Sequence, residues 1–124
     1  DRYDCIVSTN LFGDILSDLA AGLVGGLGVT AGANIGDEYA VFEAVHGSAP
    51  DIAGQNVANP TALIRSAVMM LRHIDEEAAA ETIEEVIEEM YQEGASLTAD
   101  VGGSASTIEF ANAVAERVSH RSGR

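Results

Sequence analysis

The chain has 124 residues, 47% of them hydrophobic, which suits one small domain with a single core and is too apolar for a disordered segment. There are 20 acidic residues against 6 basic ones, for a formal net charge of -14. So acidic a surface argues against nucleic acid and anionic membranes as partners, and no apolar run is long enough to span a bilayer.

Every basic residue is arginine, and lysine is absent. That balance points to adaptation to high salt, where self-repulsion is screened; the plainer alternative is an ordinary acidic protein. The lone cysteine, Cys5, cannot form an internal disulfide or a multi-thiolate zinc site, and is expected to be a small buried hydrophobe. The chain opens on Asp1 without a signal-peptide pattern and enters an apolar run almost at once, so a piece of a longer cytoplasmic protein is expected.

In chain order, Asp4 to Thr9 (DCIVST) is rich in β-branched residues and predicts a strand buried on both faces. Asn10 is placed to cap a helix, in which Phe12, Ile15, Leu16, Leu19, Ala20 and Leu23 recur at helical spacing. That helix should stop in GGLG, from Gly25 to Gly28, and a loop should follow from Ala31 to Asp37. Tyr39 to Val45 (YAVFEAV) is a second strand candidate, and His46 to Pro60 (HGSAPDIAGQNVANP) reads as a loop. Asn59 and Pro60 then give a cap and a first helical position, with Leu63, Ile64, Ala67, Val68, Met70 and Leu71 as the inward stripe. A second helix should run from Asp75 to Glu93, with Ile83, Val86, Ile87, Met90 and Tyr91 inward. Its many acids form a solvated face, and Gly94 suits its C-cap. After an irregular stretch, Ser106 and Glu109 predict a capping box. The last helix should turn Ile108, Ala111, Val114, Ala115 and Val118 inward. The fold class is α/β, with short strands followed by helices.

Two stretches carry candidate chemistry. Asp14 and Asp18 lie four residues apart, hence on one helix face, and could converge on one hard cation. They also lie roughly opposite the Phe12/Leu16/Leu19 stripe, where any surface helix carries polar residues, so spacing alone leaves both readings open. The loop after the second strand candidate has small residues that let backbone approach a ligand, with His46, Asp51 and Asn59 as its polar groups. A carboxylate such as Asp51 can accept bonds from two vicinal ribose hydroxyls and would repel a 2′-phosphate. The alternative is a capped surface loop. By spacing it is neither a G-x-G-x-x-G turn nor a P-loop.

Taken together, NLFGDILSD, GGLGVTAGANIGD, FEAVHGSAPDIAG and NPTALIRSAVMMLRH resemble the C-terminal part of the β-decarboxylating dehydrogenases. This family includes 3-isopropylmalate dehydrogenase, isocitrate dehydrogenase and relatives acting on tartrate or homoisocitrate. The resemblance implies the C-terminal portion of an isopropylmalate dehydrogenase-like fold, with residues 1–124 one part of a single subunit. It implies hydride transfer from a (2R)-hydroxy acid to NAD and loss of the β-carboxylate as CO2, aided by Mg2+ or Mn2+. Asp14 and Asp18 match metal ligands of that family. His46 and Asn59 would contact adenine, Gly47, Ser48, Ala49 and Pro50 would follow the adenosine with their backbone, and Glu43 would lie near the nicotinamide ribose. Asp51 and Ile52 stand where NADP-using relatives typically carry Lys and Tyr, which implies NAD.

The family's catalytic Lys and Tyr, its substrate arginines and a third metal aspartate lie upstream. Catalysis is therefore expected from none of these residues, and the 124 residues alone should be inactive. The resemblance further implies a homodimer, or a dimer-based oligomer, with shared active sites. The preferred substrate is 3-isopropylmalate, with isocitrate as the alternative. Readings from other classes are a non-catalytic nucleotide-binding subunit and an acidic interaction domain.

Overall fold

The computed structural model describes residues 3–123. In chain order it contains α1 (Asn10–Leu23), β1 (Ala31–Ile35), β2 (Ala40–Ala44), α2 (Thr61–His73), α3 (Glu77–Glu93) and α4 (Thr107–Ser122), with short 3-10 turns between them. β1 and β2 form a two-stranded antiparallel hairpin, in register from Ala31 opposite Ala44 to Ile35 opposite Ala40. α2 packs on this hairpin and on α3, and α4 packs on α3.

The buried strand predicted for Asp4 to Thr9 does not form. The segment is exposed, with Val7 at 95% and Cys5 also open to solvent. A strand needs a neighbour to satisfy its N–H and C=O groups, and among the described residues only β1 and β2 pair as strands. Thr9, in extended conformation, is the N-cap of α1, and Asn10 is its first helical residue. The apolar stripe Phe12, Ile15, Leu16, Leu19, Leu23 occurs on α1 as spaced, yet all of it is exposed. Only Ala21 of this helix is buried. So continuous an apolar face is characteristic of a surface that is covered in an assembled protein. α1 ends where Gly25 and Gly26 take positive φ (123° and 106°) and the Gly26 N–H bonds back to Ala21 O at 2.8 Å.

The predicted loop from Ala31 to Asp37 contains β1. AGANI has little intrinsic strand preference; pairing with β2 imposes it. β2 itself falls within the predicted span and alternates, with Ala40, Phe42 and Ala44 half-buried and Val41 and Glu43 exposed. Phe42 stacks obliquely on His73 of α2, the ring centroids 5.5 Å apart.

The start of α2 is shifted by one residue from the expectation: Pro60, not Asn59, is the N-cap and Thr61 is the first helical residue, while Asn59 Oδ1 accepts from the Thr61 N–H at 3.0 Å from one position further out. The inward face of α2 is narrower than predicted. Thr61, Ala62, Ser66 and Val68 are buried and Ile64 and Leu71 half-buried, whereas Leu63, Ala67 and Met70 are exposed. Small residues let α2 sit close to the hairpin.

The core lies between α3 and α4. Val86, Ile87 and Met90 pack with Leu97, Phe110 and Val114, and Ile83, Tyr91 and Val118 pack against that cluster. α3 starts at Glu77, two residues later than predicted, and ends at Gly94 in the left-handed region (φ 66°) as expected. The capping box of α4 forms: Ser106 Oγ accepts from the Glu109 N–H, and the Glu109 carboxylate accepts from the Ser106 N–H at 2.8 Å. The predicted stripe of α4 is off by two residues at its start. Ile108 is exposed, while Phe110 is fully buried, and Ala115, also expected inward, is exposed. The acidic face of α3 is not merely solvated. Arg117 of α4 bonds to Glu93 at 2.7 Å, Arg121 reaches Glu85 and Glu89, and Arg65 of α2 holds Glu84 at 3.0 Å.

Candidate functional site

The segment after β2 forms one wall of a groove of about 830 Å3. Val45 leaves the hairpin with its N–H bonded to Thr30 O at 3.3 Å. His46 Nδ1 lies 2.9 Å from Gly47 O. A carbonyl only accepts, so Nδ1 carries the proton and Nε2 is left as an acceptor when the ring is neutral. Ala49 is left-handed (φ 42°) and turns the chain into a 3-10 turn over Pro50–Ile52. The far end of the loop is fastened to α4. Asn56 O accepts from the Thr107 N–H at 3.0 Å, Asn56 Oδ1 accepts from the Ile108 N–H at 3.1 Å, and Thr107 Oγ1 donates to Ala58 O at 2.5 Å. These bonds serve two of the otherwise unpaired N–H groups of the α4 terminus.

Of the residues singled out in the sequence, His46, Gly47, Ser48, Ala49, Ile52 and Asn59 line this groove together. Pro50 and Asp51 sit in the turn between Ala49 and Ile52, exposed but outside the lining. Glu43 is exposed on β2, where its carboxylate accepts from Asn34 Nδ2 at 3.0 Å, and it does not line the groove. Asp14 and Asp18 are exposed on α1, also outside the groove.

The lining is completed by distant segments that the sequence reading left out: Leu27 and Gly28 before β1, Asp100, and Thr107. Asp100 belongs to the 3-10 turn Ala99–Val101. Its carboxylate accepts from Asn59 Nδ2 at 3.0 Å and from Thr98 Oγ1 at 2.5 Å. A single acid in the irregular stretch TAD gave no periodic signal, although a Thr two residues before an Asp is a pattern for a local side-chain bond.

The groove volume falls within the range of small-molecule and cofactor sites, about 300–1,000 Å3. Its wall is mostly small side chains, with the His46 imidazole, the Asn56 and Asn59 amides, the Ser48 and Thr107 hydroxyls and the Asp100 carboxylate as polar groups. Among the described residues, no Arg lines it. These features fit the adenosine half of a dinucleotide, and they offer no cation for a 2′-phosphate. The hard oxygens of Asp14 and Asp18 suit a divalent cation of the Mg2+ type, which takes about six oxygen ligands. Among the described residues no cluster of three or more His, Cys, Asp or Glu could hold a metal.

Comparison with known proteins agrees with this geometry. A family model described as isocitrate/isopropylmalate dehydrogenase matches residues 1–114. The chain is 58% identical over 116 residues to the 3-isopropylmalate/3-methylmalate dehydrogenase of Methanocaldococcus jannaschii, covering 94% of this chain and 34% of that protein. It is equally 58% identical over 116 residues to the isocitrate/homoisocitrate dehydrogenase of Thermus thermophilus, with the same coverage of 94% and 34%. The crystal structure of isocitrate dehydrogenase from Methylococcus capsulatus superposes with a TM-score of 0.88 at 58% identity, over 94% of this chain and 35% of that one. The chain thus spans about a third of the length of the curated relatives it matches. With its fold, its motifs and nearly its whole length matched, the chain belongs to the isocitrate/isopropylmalate dehydrogenase family.

Proposed function

We propose that the chain is the C-terminal part of a subunit that oxidises and decarboxylates a (2R)-hydroxy acid with NAD and a divalent cation. The observation that carries this reading is the groove, lined by the loop from His46 to Asn59 together with Asp100 and, among the described residues, by no Arg. Small residues at 47–49 let the adenosine lie against backbone. The Asp51 carboxylate, exposed in its turn, accepts from vicinal ribose hydroxyls and repels a 2′-phosphate. His46 and Asn59 flank the adenine, and Glu43 lies toward the nicotinamide ribose. When bound, the cation supplies Lewis-acid polarisation of the substrate hydroxyl and NAD supplies the hydride acceptor. Asp14 and Asp18 hold the cation with carboxylate oxygens, and the remaining ligands come from outside this chain.

The substrate we assign is 3-isopropylmalate, with isocitrate as the second reading; relatives named for each class are 58% identical, so likeness does not choose. The exposed apolar face of α1 supports assembly as a dimer with shared active sites. The charge of -14 without lysine supports a cytoplasm of high salt. The test is steady-state assay of the full-length subunit with NAD, Mn2+ and each acid, beside the 124 residues alone. Turnover of 3-isopropylmalate by the whole subunit only is expected. Turnover of isocitrate alone would replace the substrate, and turnover by the fragment would contradict the division of the site.

A further inference from the structure

Behind the groove wall lies a closed polar network. Asn59 is 8% exposed, and both its amide hydrogens are committed: Nδ2 donates to Asp100 Oδ2 at 3.0 Å and to Tyr91 Oη at 3.1 Å. Its Oδ1 accepts from the Thr61 N–H. The Tyr91 hydroxyl lies a further 3.0 Å from Oγ1 of Thr61, which is fully buried. Rotating the amide by half a turn would set Nδ2 against the Thr61 N–H and Oδ1 against the Asp100 carboxylate. One orientation is therefore fixed. Tyr91 reaches this point from α3, and its ring is held edge-on against Phe110, centroids 6.4 Å apart.

We propose that Tyr91 is a positioning residue for the groove: its hydroxyl fixes the amide of Asn59, and with it the wall against which the adenosine half of a dinucleotide packs. The inference rests on the reading that this groove takes NAD. Without the hydroxyl, one Asn59 N–H at a nearly buried site has no partner. The amide then turns toward groove water, which disturbs both Asn59 and the Asp100 carboxylate it steadies. Tyr91 makes no contact with the ligand in this arrangement.

The test uses the full-length subunit and calorimetric titration with NAD, ADP-ribose and Mn2+. Tyr91→Phe keeps the ring packed on Phe110 and removes one hydrogen bond. It should weaken NAD and ADP-ribose by about three- to tenfold, with Mn2+ affinity unchanged. In an Asn59→Ser background, which retains a side-chain oxygen as acceptor for the Thr61 N–H, adding Tyr91→Phe should have an effect near onefold. If Asn59→Ser weakens NAD but Tyr91→Phe does not, the positioning role is refuted while the groove reading stands. If Tyr91→Phe weakens Mn2+ and NAD alike, its role is general packing and the proposal fails. If Asn59→Ser leaves NAD affinity intact, the groove reading itself falls.

Discussion

Gly103 occupies a place where no side chain fits. A Cβ built there would lie 1.9 Å from Leu97 O and 2.7 Å from Leu97 Cβ. The Leu97 carbonyl cannot withdraw freely, because it accepts from the Ala105 N–H at 2.8 Å, and the Gly103 N–H beside it bonds to Thr98 O at 2.9 Å. Gly103→Ala must therefore open this turn by more than an ångström and strain or break both bonds. Two backbone hydrogen bonds at about 0.5–1.5 kcal/mol each, with about 1–3 kcal/mol of overpacking, give a loss of about 2–6 kcal/mol. The same turn carries Asp100, so NAD affinity should fall as well. Gly47 is the control, since nothing lies within 4 Å of a Cβ there. Gly47→Ala should shift stability by under about 0.5 kcal/mol while its methyl intrudes on the groove and weakens NAD. Urea denaturation of the full-length variants, beside calorimetry, separates the two. Gly103→Ala with an unchanged urea midpoint would refute the reasoning.

Phe110→Ala removes a fully buried ring from the α3/α4 core and should cost about 3–5 kcal/mol by urea denaturation, against under about 0.5 for exposed Ile108→Ala. At acidic pH, below the ordinary carboxylate range, the α3/α4 unit should loosen. The Arg117 hydrogen bond holds the Glu93 carboxyl below its ordinary 4.5, and the Ser106 N–H does the same for Glu109. A depressed folded pKa contributes stability that is present above the unfolded value and lost as pH falls through the folded one. Stability should therefore drop below about pH 4.5, with a shallower slope in Glu109→Gln, as followed by circular dichroism. Raising salt from about 0.1 M to about 1 M shortens the Debye length from about 10 Å to about 3 Å and screens the net charge of -14. The melting temperature should rise; a fall would show that the Arg–Glu pairs outweigh the repulsion.

The helices were legible because their signals are local. The Ser106/Glu109 box, the Gly94 cap and the α3 stripe all lie within a few residues of what they organise. What failed depended on partners remote in sequence. AGANI is a strand only because β2 lies beside it, and DCIVST is not one because no strand among the described residues pairs with it. The choice of Phe110 over Ile108 depends on how α4 docks on α3. Most of the groove lining lies in one loop and could be read from it, whereas Leu27, Gly28, Asp100 and Thr107 arrive through the packing of short 3-10 turns and α4 that no periodicity encodes. The stripe on α1 is correctly spaced, yet nothing among the described residues covers it.

The central claim is that the groove lined by the His46–Asn59 loop and Asp100 binds the adenosine half of NAD and rejects a 2′-phosphate. Calorimetric titration of the full-length subunit with NAD and NADP, in native form and with Asp51→Asn, tests it most directly. Clear preference for NAD, narrowed by Asp51→Asn, is the expected result. Equal or tighter binding of NADP by the native protein would contradict the account.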